Sequence, residues 1–117
     1  MLRRNLRLRS EEVREVLAKG RPLRGKGLLS ARMLKTSASG LRAAAVVSKS
    51  VAKSAVARNR LRRAVYRVLR EAPKDTHGMF VFFLRATPTS PMAPKLKDEI
   101  EGILNEAQSF RANAKKG

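Results

Sequence analysis

Between Lys49 and Arg70 the chain carries eight basic side chains, Lys49, Lys53, Arg58, Arg60, Arg62, Arg63, Arg67 and Arg70, and no acidic one. From Ser54 onward Leu61, Ala64, Val65, Val68, Leu69 and Ala72 recur at steps of three and four, which gathers them into one apolar stripe of a helix. Ser54 is the expected N-cap, its hydroxyl able to accept from an orphan amide of the first turn. On that wheel Arg60, Arg63, Arg67 and Arg70 point away from the stripe, and Arg58 and Arg62 border it. Such a row of like charges repels itself at every three- and four-residue spacing. A merely solvated face would interleave Glu with Lys and Arg. The chemistry that suits this pattern is polyanion binding. A guanidinium donates two parallel hydrogen bonds to phosphate from a planar fork and loses little hydration in doing so.

Bond-breaking chemistry has no comparable cluster. A protein nuclease needs carboxylates grouped around a metal, or a histidine-centred acid–base pair. The single histidine, His77, lies in a polar break near Asp75 and is expected to be solvated. Glu11, Glu12 and Glu15 are accounted for by the positive end of the helix they open. Neither a catalytic residue nor a metal site is expected in the protein. Without cysteine there is no disulfide framework and no thiolate zinc site.

A net charge of +18 on 117 residues calls for a partner of opposite sign, nucleic acid first. An anionic membrane is disfavoured, because no helix has an aromatic-rich apolar face and no apolar run is long enough to span a bilayer. The arginine-rich start lacks the apolar core of a signal peptide, so the cytoplasm is the expected location. At 43% hydrophobic, residues 1–117 suffice for one nucleic-acid-binding domain with one modest core.

The elements that must position the arginines follow from local pattern. Residues 1–9 alternate arginine with leucine and are expected to be extended. A helix then opens with Ser10 as N-cap and places Val13, Val16 and Leu17 on one face. Gly20 stops it and Pro22 prevents its resumption. Lys26 to Lys35 alternates as a strand, with Leu28, Ser30, Arg32 and Leu34 on one side. After a turn at Thr36 to Gly40, Leu41 to Ser48 is a second strand, antiparallel to the first. Its Ala43 to Val47 run suggests burial on both faces. Beyond the arginine helix, Met79 to Leu84 is dense enough to be a central strand. Pro94 opens a final helix with Leu96, Ile100, Ile103, Leu104 and Ala107 on its inner stripe and its carboxylates outside. Residues 112–117 are expected to fray. The order helix, strand, strand, helix, strand, helix implies an α/β (α+β) two-layer sandwich on a small mixed sheet.

Arg58-Asn59-Arg60-Leu61-Arg62-Arg63, preceded by Val47-Ser48-Lys49 and Lys53, resembles the motif of the bacterial ribonuclease P protein subunit. Asn5-Leu6-Arg7-Leu8 followed by Ser10-Glu11-Glu12 is similar to that family's amino-terminal entry, so the resemblance covers nearly the whole chain. It implies a non-catalytic subunit of an endoribonuclease. The RNA subunit would carry the chemistry with magnesium, and the protein would need no cofactor of its own and no obligate protein partner.

The partners implied are ribonuclease P RNA and precursor tRNA, whose 5′ leader is removed. Lys49, Lys53, Arg58, Asn59, Arg60, Arg62 and Arg63, with Arg67 and Arg70 on the same helix, would contact the RNA. Arg7, Arg9, Val13, Leu17, Ala31 and Arg32 would line a leader-binding cleft between the first helix and the sheet. The family usually has phenylalanine at the positions of Val13 and Leu17 and an aromatic near Ala31, so stacking on leader bases is reduced here and phosphate contacts carry more of the binding. The family also implies a left-handed strand–helix–strand crossover, against the general right-handed rule. Two other readings fit the charge. A ribosomal or general RNA-binding protein is disfavoured by the Arg58–Arg63 motif in its context. A helix-turn-helix DNA-binding protein is disfavoured by a strand at Ala43 to Val47 where a helix would be needed.

Overall fold

The computed structural model describes residues 7–35, 40–72, 76–89 and 91–116, with side chains as far as Ala107. The stretch expected to be extended over 1–6, most of the turn at 36–40, and Asp75 lie outside them. Three helices and four strands follow in the order α1 (Ser10–Lys19), β1 (Arg21–Arg24), β2 (Leu29–Leu34), β3 (Leu41–Val47), α2 (Ala55–Arg70), β4 (Gly78–Leu84) and α3 (Met92–Lys116). The class is the α+β arrangement on a mixed sheet that the element pattern implies.

The sheet order is β1-β2-β4-β3. β4 pairs antiparallel with β2 and parallel with β3. Thus β2 and β3 run in opposite directions as expected, but they are not neighbours. β4 lies between them because it is the one strand buried along almost its whole length, and a central position covers both of its faces. β3 is correspondingly displaced to an edge. Its burial alternates, with Val46 37% exposed, so the expectation of burial on both faces is corrected.

The edge of β3 is closed in two ways. Leu8 N–H donates to Ala43 O (3.1 Å), and Ala45 N–H donates to the hydroxyl of Tyr66 on α2 (3.0 Å). Unpaired strand edges invite aggregation, and both contacts blunt this one. The opposite edge is β1, a strand the sequence pattern did not reveal. Pro22 reads as a breaker, yet it is tolerated where one side of a strand needs no N–H.

Alternation along the strands divides the core. Leu29, Ala31 and Met33 of β2, Ala43 and Ala45 of β3, and Phe80, Phe82 and Leu84 of β4 pack against the stripes of α2 and α3. Met79 and Val81 face the other way, toward Val16 of α1, with Val13, Leu34 and Phe83 around them. The two-layer description therefore fits the α2–α3 side, and α1 adds a partial third layer on the far face. α3 begins at Met92, so Pro94 sits in its first turn, where a missing N–H costs nothing. Its backbone is helical through Lys116.

The cap of α1 is Arg9 and not Ser10. Arg9 N–H donates to Glu12 Oε1 (2.9 Å), half of a capping box whose other half an arginine side chain cannot supply. Glu12 also makes a bidentate pair with Arg42 on β3, the second bond at 2.8 Å, which ties α1 to the sheet. The Arg9 N–H and the Arg42 guanidinium hold the Glu12 carboxyl below its ordinary value. A lowered folded-state value means the stabilisation is present above the unfolded value and is lost as pH falls through the folded one. The difference in Tm between the wild type and Glu12→Gln is therefore expected to be largest near neutrality and to shrink as pH drops below about 4. Thermal melts across that range check this. A gap that stays constant down to the acid limit would mean that charge is not its source.

Candidate nucleic-acid interface

α2 forms where the periodicity places it, and Ser54 caps it by accepting from Ala57 N–H (3.0 Å). Leu61, Val65, Tyr66 and Leu69 are buried, and Ala64 and Val68 lie at the margin of the stripe. Burying a large apolar side chain contributes about 1.5–3 kcal/mol, whereas a like-charge pair at helical spacing costs a few tenths. Packing therefore holds the helix together in spite of its arginines. Tyr66 was not evident as part of the stripe. Its hydroxyl reaches past the apolar layer to β3, a role only the neighbouring strand defines.

The side chains of Lys49, Lys53, Arg60, Arg63, Arg67 and Arg70 are exposed, and none has a hydrogen-bond or ion-pair partner among the described residues. Arg58 and Asn59 stand differently. The Arg58 guanidinium donates to Ala52 O (3.1 Å) and Lys53 O (2.8 Å), bracing the turn that precedes the helix. That turn is further closed by Val51 N–H and Ala52 N–H on Ser48 O (each 3.1 Å) and by Thr87 Oγ1–H on Val51 O (3.0 Å). Asn59 Oδ1 accepts from Arg62, which orients both side chains. Arg58 thus braces the backbone at Ala52 and Lys53, while Arg60, Arg63, Arg67 and Arg70 have no partner among the described residues.

On the α1 side of the sheet, Arg7 and Arg9 flank the start of the helix, Val13 is half-buried, and Leu17 is 39% exposed. Arg32 points to this side and donates to the carbonyls of Leu17 in α1 (3.4 Å) and of Gly20, the residue that caps it (3.3 Å), a favourable place for a cation at a helix C-terminus. Ala31 does not line this cleft. It is 2% exposed and belongs to the α2–α3 core, because adjacent strand residues face opposite ways.

The aromatic on this face comes from β4 instead. Phe83 pairs with Ser30 on one side and Val46 on the other, and is half-buried at the margin of the Val16 cluster. The Arg85 guanidinium lies 5.5 Å from the Phe83 ring centroid and is steadied by Nε–H to Ser30 Oγ (2.8 Å). Phe83 went unread as a surface group because the run Phe80 to Phe83 looks uniformly apolar; strict alternation within it was the available signal. By register, Phe83 lies one residue before the end of the β3–β4 ladder, from which the chain enters the Lys49–Lys53 turn. Phe83 and the Lys49–Lys53 turn therefore lie at the same end of the sheet, at the carboxyl ends of its two parallel strands. Ligand sites of open α/β sheets form at such ends.

His77 is half-buried, and its Nδ1 accepts from Gly40 N–H (2.6 Å), so it holds two strand ends together instead of standing in solvent. Glu99 likewise departs from the outer face assigned to the last helix: it is 4% exposed. Among the described residues no group of three His, Asp or Glu could hold a metal ion, and no helix is long and apolar enough to cross a membrane.

A sheet ordered in this way, with one helix on its cleft face and two on the other, is the fold of the Staphylococcus aureus RNase P protein. One solved structure of that protein has a TM-score of 0.68 at 17% identity, covering 87% of this chain and 94% of that one. A mutant described as defective in mRNA degradation activity aligns at 0.75 and 17% identity over 89% of each chain. A third structure gives 0.66 at 17% identity over 92% of each. A search of curated protein sequences returned no match. The family model for ribonuclease P, however, matches residues 2–108, and the chain belongs to that family as a bacterial ribonuclease P protein component. Membership implies partnership with ribonuclease P RNA and a part in tRNA processing.

Proposed function

We propose that this protein binds ribonuclease P RNA through the outer face of α2 and the Lys49–Lys53 turn. The 5′ leader of precursor tRNA then lies along the α1 side of the sheet, past Arg7, Arg9, Leu17 and Phe83. The single observation that carries the reading is the row Arg60, Arg63, Arg67 and Arg70, exposed and unpaired among the described residues, on a helix anchored by its other face. Four donors left open in this way suit a phosphate backbone and serve no folding purpose. On the cleft side, Phe83 together with the Arg85 guanidinium over its ring supplies a flat surface for an unpaired leader base, a contact worth about 1–3 kcal/mol. It stands in for the aromatics missing at Val13 and Leu17. In this reading hydrolysis of the phosphodiester belongs to the RNA subunit, with magnesium held there, and the protein contributes binding and charge.

Reconstitution tests this reading. The protein alone is expected to leave precursor tRNA intact. Added to ribonuclease P RNA, it is expected to restore leader removal at magnesium concentrations too low for the RNA by itself, because its cations replace part of the ionic screening. Cleavage by RNA-free protein would sink the reading, and so would an RNA reaction indifferent to the protein.

A further inference from the structure

A groove of about 450 Å³ runs between the outer side of α2 and the start of α3, lined by Val56, Asn59, Arg60, Arg63, Ala64, Arg67 and Met92. Its floor and its rim differ in chemistry. Val56 is 72% exposed, and Ala64 and Met92 are half-buried, so the floor is apolar and wet. The rim only donates. Arg60, Arg63 and Arg67 have no partner among the described residues, and Asn59 has its oxygen occupied by Arg62, which leaves its amide N–H groups free to donate. No carboxylate lines the groove. A paired helix lying along α2 would meet the arginines but leave Val56 and Met92 in water. An occupant that satisfies both parts carries an anion and a flat apolar face together.

We propose that this groove receives one unpaired nucleotide of the RNA that α2 binds. Its phosphate is held by Arg60, Arg63 and Arg67, its base lies over Val56 and Met92, and an acceptor on the base edge takes the Asn59 amide. The inference rests on the reading of α2 as an RNA-binding face and goes beyond it, because neutralising phosphates requires no apolar floor.

The test compares two RNA hairpins with the same stem, one fully paired and one carrying a single-nucleotide bulge, bound by the full chain at fixed salt and followed by fluorescence anisotropy. The wild type is expected to bind the bulged hairpin about fivefold more tightly, the gain from covering a small apolar patch. A Val56→Ser/Met92→Ser double variant is expected to bind both hairpins equally, with wild-type affinity for the paired one and an unchanged salt dependence. Met92 touches the margin of the core, so a thermal melt checks the fold of that variant. Val56→Ser alone, at an exposed position, provides a second variant expected to lose part of the preference. Equal binding of the two hairpins by the wild type, or a preference intact in both variants, overturns the groove assignment and leaves α2 as an RNA face. A wild type that binds neither hairpin overturns the reading of α2 itself, and the groove with it.

Discussion

RNA binding by this protein is expected to weaken by about 10³- to 10⁵-fold between 50 and 200 mM monovalent salt. The exposed cations Lys49, Lys53, Arg60, Arg63, Arg67 and Arg70 lie on one continuous surface from the turn along α2, and Arg62 borders it. Each phosphate they neutralise releases condensed counterion, so the logarithm of affinity falls linearly with that of salt, by about 0.7–0.9 per contact. Six contacts at the steeper slope reach about the lower end of that range, and further contacts raise the loss within it. Arg60→Ala or Arg63→Ala should lower the slope by about one unit each while leaving the fold intact, since exposed substitutions usually change stability by no more than about 0.5 kcal/mol. Arg58→Ala should behave otherwise. It removes the brace on Ala52 O and Lys53 O, so affinity should fall with little change in slope. Anisotropy titrations at four or five salt concentrations separate these outcomes. A nearly flat salt response would dismiss the electrostatic mechanism.

Glu99→Ala is expected to destabilise the protein by about 3–5 kcal/mol, a large part of the 5–15 kcal/mol available to a domain. Glu99 sits on the inner side of α3 and accepts from three backbone N–H groups: Lys26 (2.8 Å) and Leu29 (3.0 Å) on Oε1, and Leu28 on both oxygens (3.0 and 2.9 Å). These donors belong to the tight connection between β1 and β2, where no other acceptor is supplied. Gly25 permits the approach, since a Cβ there would stand 2.5 Å from Glu99 Oε1 and from Leu29 O. Truncation would leave one buried and two part-buried donors unsatisfied, at up to about 1–3 kcal/mol each. Glu101→Ala is the control, because Glu101 is 57% exposed and its pairing with Lys97 spans 4.0 Å on the surface. Urea denaturation measures both. Equal midpoints for Glu99→Ala and the wild type would mean that the connection finds its acceptors elsewhere.

The sequence by itself determined what depends on neighbours a few residues away. The cap at Ser54, the stripe of α2 and the outward arginines all follow from helical periodicity. The central placement of Met79 to Leu84 follows from a run too apolar to leave either face in water. The motif Arg58–Arg63 in its setting was sufficient to indicate the family. What the sequence could not decide were relations between segments far apart in the chain. Ala31 and Arg32 are adjacent, and which of them enters the core depends on the sheet face that α2 and α3 cover. Phe83 reads like Phe82 until the pairing with Ser30 and Val46 puts it on the other side. Glu99 looks like its exposed neighbours until the β1–β2 connection brings three N–H groups to it from at least seventy residues upstream. Local pattern sets which residues can bury or bind; only tertiary packing decides which of them are left open to a ligand, because that depends on what the rest of the fold has already covered.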